Sequence, residues 1–434
     1  MLRKLRVCQV TAAYHPYPSG VSEYVSNLSQ ALRARGHDVH VLTTGYDRLK
    51  GLNRSSEPES GVTRIGQARL LPLNRSFATV PLDWHMSGKV RRFLAEHEFD
   101  VLHLNGFFPP DISFYALKHS RCVNVLMFHT VGFVTPGLHQ QIAQIATDGQ
   151  SAQKGNPSAD CADYTDSNLR ESAKSVDRRG ESSRAAAWLF RKTFARYLRR
   201  LHGRIAATEG ARRFIAPFFP EEIRVIHEGV NTDRFKPGVA PEECGAGRIL
   251  FVGRLDARKG LSVLLRALPL VRASLPYVQL LIVGSGPMEP EARQLTARTG
   301  LRDAVTFLGT VPGSSLPGYY TSADVFCAPT LGGEAFGLVL LEAMASGTPV
   351  VASDITGYNE VVTHGETGLL CPPGNPTALA EALVQALTDR QLRARLQANG
   401  LAWARLHAWP NIAAQVESYY FELLDRSKRT EDSR

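Results

Sequence analysis

The sequence lacks the paired cysteines that mark a structural zinc site or a secreted disulfide framework. Its six cysteines are scattered over 434 residues without any C-x-x-C pair, which argues against both classes. A reducing cytoplasm is the simpler location for such a chain. The sequence also has no Asp-x-Asp element and no His/Cys cluster at ligand spacing. A bound metal ion is therefore not expected.

Long apolar runs are missing as well. No stretch approaches the roughly 20 apolar residues that a membrane-spanning helix needs. Residues 1–10 carry basic side chains but no long apolar region, so they predict a first β-strand rather than a signal peptide.

The composition is that of a globular protein with a full core, because 44% of the residues are hydrophobic and 21% are charged. A chain of 434 residues predicts two or three domains. The net charge is +9. This balance fits nucleic acid, anionic lipid or a phosphorylated substrate, and it does not choose among them.

Short apolar strands alternate with helical patterns along both halves of the chain, which predicts two α/β units with parallel sheets. A linker is expected near Lys236–Gly247. Residues 147–184 are rich in Ser, Asp, Asn, Gly and Arg and predict a disordered or mobile insertion. The predicted strands are Leu5–Thr11, Val39–Thr43, Phe99–Leu104, Val123–Phe128, Arg248–Val252, Val278–Val283, Val305–Leu308, Val325–Ala328 and Pro349–Ala352.

A basic amphipathic segment follows the insertion. Ala185–Arg204 interleaves aromatic and leucine side chains with six Arg or Lys residues and has no acidic residue. Such a helix can lie on an anionic membrane surface. The alternative is a helix that packs on the core and exposes a solvated basic face.

Two glutamates eight positions apart, Glu334 and Glu342, bracket an apolar stretch that predicts a short helix. Gly332 and Gly333 form a turn before it, and Gly347 is placed to end it. Free N–H groups at the helix start favour an anion, so a ligand with a sugar, phosphates and a ribose fits this arrangement. The alternative is a surface glutamate plus an ordinary helical glutamate.

Cationic residues also follow the strand Arg248–Val252. The glycine-bounded loop Gly253–Gly260 carries Arg254 and Lys259, which are suited to bind a diphosphate. A solvated basic loop is the alternative. Gly20 lies where a first strand meets a helix, a position that phosphates occupy in other folds. A single glycine carries little signal, and taken alone it indicates a plain turn.

His129 ends the strand Val123–Phe128, where a histidine can face a cleft and act near a reacting hydroxyl. A buried core histidine is the alternative. We place His103 at the end of the neighbouring strand, so that the two histidines share one cleft.

With these residues in view, the chain resembles the family 4 retaining glycosyltransferases of the GT-B fold, and among them the bacterial phosphatidylinositol mannosyltransferases. The resemblance covers nearly the whole chain apart from residues 147–184. It rests on the Glu-x7-Glu element together with Gly-Arg-x4-Lys-Gly. The other supporting stretches are Phe128–Thr130, Leu201–Ala206 and Ser322–Gly337.

The resemblance implies two Rossmann-like parallel-sheet domains facing across a cleft. An acceptor domain would span residues 1–228 and a nucleotide-sugar domain residues 229–408. A C-terminal helix, residues 409–434, would cross back to the first domain. Two stretches depart from the family pattern: Ser19-Gly20 replaces a Gly-Gly, and His227-Glu228-Gly229-Val230-Asn231 replaces Pro-Asn-Gly-Val-Asp.

The resemblance also implies roles for individual residues. Arg254 and Lys259 would bind the donor diphosphate, Gly20 would let its loop approach it, and Glu342 would hold the ribose. His129 would lie beside the anomeric carbon, and Arg254, Lys259 and Glu334 would join it in catalysis. The sugar would contact Glu334 and the amides of Phe336, Gly337 and Leu338, the base Thr310 and Val311, and the acceptor Ser22, Thr130 and Arg258.

The expected function is transfer of a hexose, mannose from GDP-mannose foremost, to a lipid-linked or polyol acceptor such as phosphatidylinositol. Configuration would be retained and no metal would be needed. A cytoplasmic enzyme peripheral to the inner face of the membrane is expected, with no nucleic-acid partner. The alternatives are a UDP-sugar-dependent family member, a sugar-nucleotide epimerase or phosphorylase, and a basic protein that binds membrane or nucleic acid.

Overall fold

The chain forms two parallel-sheet domains and a long C-terminal helix. The structure is a computed structural model, and it describes residues 3–15, 19–45, 60–73, 76–81, 83, 85–106, 111–129, 188–238, 247–334 and 336–432.

An eight-stranded sheet forms the N-terminal domain, in the order β4-β3-β2-β1-β5-β6-β7-β8. Its strands pair in parallel except for β3 with β4. The central strands are nearly continuous apolar runs, as expected of parallel strands covered on both faces. The strands are β1 Arg6–Thr11, β2 Asp38–Gly45, β3 Val62–Leu73, β4 Ser76–Pro81, β5 Val101–Asn105, β6 Val123–Phe128, β7 Gly203–Ala206 and β8 Arg224–Val225.

Helices connect these strands. They are α1 Gly20–Ala34, α2 Met86–Glu96, α3 Ile112–His119, α4 at 188–198 and α5 Glu209–Ile215.

A six-stranded parallel sheet forms the C-terminal domain, in the order β11-β10-β9-β12-β13-β14. Its strands are β9 Arg248–Val252, β10 Gln279–Val283, β11 Val305–Gly309, β12 Val325–Ala328, β13 Val350–Ser353 and β14 Leu369–Cys371. Its helices are α6 Leu261–Ser274, α7 Glu289–Arg298, α8 Leu316–Thr321, α9 Leu338–Ala345, α10 Pro376–Thr388 and α11 Arg390–Leu406. Short 3₁₀ turns lie at Ala257–Lys259, Gly313–Ser315 and Tyr358–Glu360.

The last helix, α12 Trp409–Asp432, packs on the N-terminal domain. Val416 and Tyr420 of α12 share one buried cluster with Leu28 of α1 and Val125 of β6. The carboxylate of Glu417 is buried there and pairs with Arg35 and His37. The predicted crossing of the C-terminal helix back to the first domain is confirmed.

The chain crosses from one domain to the other twice, and the two crossing segments are hydrogen-bonded to each other. The amide of Val230 donates to the carbonyl of His407 at 2.9 Å, and the amide of Trp409 donates to the carbonyl of Val230 at 3.2 Å. A Cβ on Gly229 would lie 2.7 Å from the Trp409 ring. This close contact explains a glycine at the crossing.

Each predicted strand coincides with a strand of the structure to within two residues at either end. Among the described residues, the sequence patterns missed β3, β4, β7, β8 and β14. The prediction that His103 ends a strand is wrong, because His103 lies in the middle of β5.

The predicted helix over Ala185–Arg204 is too long at its C-terminal end, since helix α4 stops at residue 198. Arg204 lies in β7, because Gly203–Ala206 pairs with β6. Its buried guanidinium pairs with Glu221 at 3.2 Å. The aromatic side chains Phe190 and Phe194 pack against the domain core, as the core-packing alternative predicts.

Candidate active site

The loop after β9 holds its cations on a buried carboxylate. Asp256 is only 3% exposed. Its Oδ1 accepts from the amide of Arg258 at 3.0 Å, and its Oδ2 lies 3.1 Å from Arg258 Nη2 and 3.4 Å from Arg254 Nε. Both guanidinium groups are therefore tethered at the end of the strand. Sequence reasoning missed Asp256, although an Asp at the start of a short turn is a common capping signal.

The glycine that closes this loop is required by its surroundings. Gly260 has a φ of 68°, and a Cβ there would lie 1.9 Å from the carbonyl oxygen of Pro329. Only glycine allows the loop to pack this closely against the chain that leaves β12. The contact continues in a 2.7 Å hydrogen bond from the amide of Leu331 to the carbonyl of Arg258.

This packing brings Lys259 to Glu334. Lys259 Nζ lies 2.9 Å from Glu334 Oε1, and each side chain is 17% exposed. Burial alone would lower the pKa of Lys259, but the carboxylate of Glu334 outweighs burial and the net pKa is raised. The lysine is therefore held as a cation, and the two residues that the sequence separates by 75 positions form one charged pair.

Helix α9 begins at Leu338, four residues after Glu334, so Glu334 lies in the loop before the helix. Gly337 caps the helix with a φ of 91°, and a Cβ there would lie 2.5 Å from the Tyr358 ring. Gly347, with a φ of 76°, follows the helix end as predicted. The prediction that the amides of Phe336 and Gly337 belong to the helix start needs correction, because both residues precede Leu338. In the first turn, the amide of Leu340 donates to the carbonyl of Gly337 at 2.9 Å.

Glu342 lies inside α9 and keeps part of its surface exposed. The hydroxyl of Tyr320 donates to its Oε2 at 2.8 Å. Burial raises the pKa of Glu342 to about 7, against the opposing effects of Tyr320 and Arg234, and Glu23 of the N-terminal domain adds to the rise. The position of Glu342 was predicted, but its phenol partner was not.

Four strand ends of the C-terminal sheet meet at one edge. The loops after β9 and β12 carry Lys259 and Glu334, and those after β10 and β11 carry Ser285 and Thr310, whose hydroxyl oxygens lie 2.8 Å apart. Val311 follows and is partly buried. Open α/β sheets bind ligands at such an edge.

The N-terminal domain contributes the start of α1. Gly20 is the first helical residue, and a Cβ there would meet no atom within 4 Å, so nothing within the described chain requires glycine at this point. Ser22 is fully buried, and its Oγ lies 2.8 Å from that of Ser19. An acceptor would have to displace this contact to reach Ser22, so its predicted role stays a prediction.

His129 follows β6 and is held from two sides. Its Nδ1 lies 2.9 Å from Glu228 Oε1, and its Nε2 lies 3.1 Å from Asn105 Oδ1. The ring of Tyr24 meets it edge-on at 4.6 Å. Sequence reasoning missed Glu228 and Asn105 as partners. The departure at Glu228 from the family pattern was the signal that could have found one of them.

His103 does not join this site. It is fully buried, and its Nδ1 contacts the hydroxyl of Tyr420 on α12. Burial lowers the pKa of His103 to about 3, with His129 adding to the effect, so this histidine is neutral. The expected sharing of one cleft by the two histidines is therefore wrong. Thr130 and residues 147–184 lie outside the described residues.

In the described ranges, no three His, Cys, Asp or Glu side chains come together as a metal-binding group.

Comparison with known proteins places this geometry in a family. A model described as "Glycosyltransferase Family 4" matches residues 18–234, and one described as "Glycosyl transferases group 1" matches residues 237–403. The chain is 34% identical over 422 residues to the phosphatidyl-myo-inositol mannosyltransferase of Mycobacterium leprae, and the aligned region covers 96% of each protein. The chain belongs to glycosyltransferase family 4.

This family 4 glycosyltransferase has further relatives. Over 223 residues, 48% of this chain and 58% of the relative, it is 34% identical to a GDP-mannose-dependent alpha-(1-6)-phosphatidylinositol monomannoside mannosyltransferase of Mycobacterium tuberculosis. Its fold matches a sucrose-phosphate synthase of Thermosynechococcus elongatus with a TM-score of 0.68 at 24% identity, over 98% and 100% of the two chains. The structural match confirms the GT-B fold.

Proposed function

We propose that this glycosyltransferase transfers mannose from GDP-mannose to a phosphatidylinositol-type lipid, with retention of configuration. The observation that carries the chemistry is the Lys259–Glu334 pair, 2.9 Å apart at the start of α9. It places a cation and a carboxylate side by side, where a diphosphate and its sugar would meet. The choice of mannose and of the lipid is supported by the relative from Mycobacterium leprae, which the chain matches over 96% of its length.

The donor would lie along the carboxyl edge of the C-terminal sheet. Lys259 and Arg254 would contact its diphosphate, and Gly20 would let the start of α1 approach from the other domain. Glu342 would accept from the ribose hydroxyls at the inner end. The sugar would contact Glu334, the amides of Phe336 and Gly337 just before α9, and the amide of Leu338 at its first residue. The base would contact Thr310 and Val311.

Donor binding would replace the contact between Lys259 and Glu334 by contacts of each residue with the donor. Without donor, Lys259 and Glu334 neutralise each other at 2.9 Å. With donor, the diphosphate would take the lysine and the sugar hydroxyls would take the carboxylate. As the diphosphate departs, the cations Lys259 and Arg254 stabilise its growing charge, an effect of several kcal/mol in preorganised sites.

The acceptor would approach from the N-terminal domain. His129 would lie beside the anomeric carbon, and Ser22, Thr130 and Arg258 would hold the acceptor head group. Arg258 is well placed to reach an anionic group, because Asp256 anchors its guanidinium at 3.1 Å while the side chain stays 20% exposed. Closure of the two domains would exclude water and limit donor hydrolysis.

The reaction would need no divalent metal. Three cationic side chains, Arg254, Arg258 and Lys259, follow one strand end, and the helix start adds backbone amides. Together they can supply the charge that a metal would otherwise bring to the diphosphate.

Attachment to an anionic membrane surface, as a peripheral protein on the inner face, would bring the enzyme to its lipid. Helix α4 exposes Trp188 and Leu189 at 61% and 59%, next to Arg191, Lys192 and Arg196. Aromatic and basic side chains on one helix suit such an interface. Within the described residues, no helix has the length and apolar character to cross a membrane.

The function is tested by incubating the full-length protein with radiolabelled GDP-mannose and phosphatidylinositol vesicles in the presence of EDTA. Label in the lipid phase, with the α configuration of the donor retained, is the expected result. Loss of transfer in EDTA that added Mg²⁺ restores would overturn metal independence. Transfer from UDP-sugars only would overturn the donor.

Membrane attachment has its own test in vesicle sedimentation without donor. Binding to vesicles with anionic lipid should exceed binding to neutral vesicles and should fall as salt is raised. The double variant Trp188→Ala/Leu189→Ala should weaken vesicle binding. The control Tyr277→Ala, at a side chain of the other domain that is 59% exposed, should not. Equal binding of both variants would contradict a role for α4.

A further inference from the structure

We propose that Glu228 is a positioning residue that holds His129 with a proton on each ring nitrogen, so that His129 acts as a cationic hydrogen-bond donor and not as a proton acceptor. The effect on turnover rests on the proposed transfer reaction. The protonation state itself does not, and it is measured separately below.

The first contact fixes a proton on Nδ1. This atom lies 2.9 Å from Glu228 Oε1, and the two side chains are only 9% and 8% exposed. A carboxylate can only accept a hydrogen bond. A buried carboxylate also needs a charged or donating partner, because an unpaired buried charge is costly.

The second contact fixes a proton on Nε2, provided that Asn105 presents its oxygen. Asn105 Nδ2 lies 3.4 Å from each of two backbone carbonyl oxygens, those of Val10 and His103, and 2.9 Å from Gln9 Oε1. Backbone carbonyls only accept, so the amide atom that faces them is the donating nitrogen. The other atom, 3.1 Å from His129 Nε2, is therefore an oxygen that accepts.

Both ring nitrogens of His129 thus face acceptors, and the ring has no lone pair left to take a proton from a substrate. The remaining neighbours are compatible with a cation. His103 is neutral because burial lowers its pKa to about 3, and the Tyr24 ring meets His129 edge-on at 4.6 Å. Burial keeps the Tyr24 hydroxyl protonated by raising its pKa.

Glu228 also ties this histidine to the crossing between the domains. It directly precedes Gly229, which packs on Trp409, and Val230, which bonds to both His407 and Trp409.

The assignment determines where the acceptor proton goes. The acceptor oxygen forms a bond to the anomeric carbon as the bond from that carbon to the diphosphate oxygen breaks. The hydroxyl proton then passes to the departing diphosphate oxygen, and His129 leaves the step with both of its protons. Paired with Glu228 at 2.9 Å, the ring adds no net charge beside the anomeric carbon, and its contribution is to fix the geometry of the reacting groups.

The protonation state is tested on the full chain labelled with [¹⁵N]histidine. The signals of His129 are identified by their loss in His129→Asn. We expect both ring nitrogens to show the shifts of a protonated imidazolium at neutral pH, and we expect Glu228→Gln to convert the ring to its neutral form. One unprotonated nitrogen in the wild type would overturn the proposal, as would an unchanged spectrum in Glu228→Gln.

Turnover gives the second readout. Glu228→Gln should lower kcat at least about tenfold through misplacement of His129, while the KM for the donor changes less than threefold. Glu228→Asp should restore part of the loss. Glu221→Gln is the matched control, since its carboxylate pairs with Arg204 outside the site, and it should keep full activity. Equal kcat for Glu228→Gln and the wild type would contradict the positioning role. An enzyme inactive toward every donor would refute the proposed function and leave the spectroscopic test intact.

Discussion

At the scale of single residues, Glu342 combines two demands that oppose each other. The proposed ribose contact would need a charged carboxylate, yet burial disfavours that charge and raises the pKa of Glu342 from 4.5 to about 7. Tyr320 relieves only part of the cost by donating at 2.8 Å. In its proposed role, Glu342 would therefore bind ribose at the expense of stability near neutral pH.

This conflict predicts the behaviour of Glu342→Gln. Because the folded pKa lies above the unfolded one, Glu342 contributes stability that is fully present below about pH 4.5 and is lost as the pH rises through about 7. The neutral variant should therefore be more stable than the wild type at pH 8, by at most about 3 kcal/mol, and nearly equal to it at pH 4. Thermal unfolding at the two pH values measures this, and a stability difference that does not change with pH would contradict it.

The site residues differ in how far the sequence could predict them. Glu334, Glu342, Arg254 and Lys259 were placed by spacing, because their motifs mark strand ends and helix starts. Their partners were not, because hydrogen bonds such as Tyr320 to Glu342 and Glu228 to His129 join positions that no local pattern relates. The assigned roles of the motif residues remain predictions.

At the scale of elements, the turn Ala257–Lys259 is held in place by Gly260. This glycine allows a contact with the carbonyl of Pro329 that any side chain would block. Local sequence predicted the loop and its charges. The contact with Pro329 depends on how β9 and β12 lie side by side, which only the sheet order determines.

Gly260→Ala and Gly300→Ala form a matched pair. Both glycines have nearly the same backbone conformation, with φ of 68° and 69°, but a Cβ at Gly300 meets no atom within 4 Å. Gly300→Ala should cost only the backbone strain, roughly 1–2 kcal/mol, and keep full activity. Gly260→Ala should cost more and lose most activity, because the loop that carries Lys259 must shift. Unfolding and transfer assays on both variants measure this, and equal behaviour would contradict it.

The C-terminal end of helix α4 could not be predicted from sequence periodicity alone. The basic pattern of Ala185–Arg204 is continuous in sequence, yet the described helix ends at residue 198 because β7 recruits Gly203–Ala206 into the sheet. Pairing with a distant strand overrides a local helical pattern.

At the scale of the whole molecule, the carboxylate of Glu360 links the two domains by hydrogen bonds. Glu360 of the C-terminal domain accepts from the amides of Glu209 and Gly210, at 2.6 and 2.7 Å, at the start of α5 in the N-terminal domain. The same turn carries Tyr358, whose ring packs on Gly337 at the start of α9. The contact between the domains and the proposed donor site therefore share one short segment.

Glu360→Ala should loosen this contact. Loss of two charge-assisted hydrogen bonds should speed amide exchange at Glu209 and Gly210 by about 10- to 100-fold. Glu366→Ala is the control, since its carboxylate accepts from Asn399 within the C-terminal domain, and it should leave those two amides unchanged. Hydrogen exchange measures the two amides in both variants. Equal protection of these amides in Glu360→Ala and the wild type would contradict the link through Glu360.

The two-domain architecture was predictable, because alternating strands and helices with a family motif admit few topologies. The close contact of the two crossings at Val230 and Trp409 was not predictable, since it joins residues nearly 180 positions apart.

In the proposed reaction, Lys259 neutralises the donor diphosphate during mannosyl transfer. The most direct measurement is single-turnover transfer from labelled GDP-mannose to phosphatidylinositol vesicles by Lys259→Ala. Lys428→Ala serves as the control because Lys428 is exposed on α12. A loss of at least about 100-fold for Lys259→Ala, with Lys428→Ala equal to the wild type, is the predicted result. Full transfer by Lys259→Ala would contradict the account.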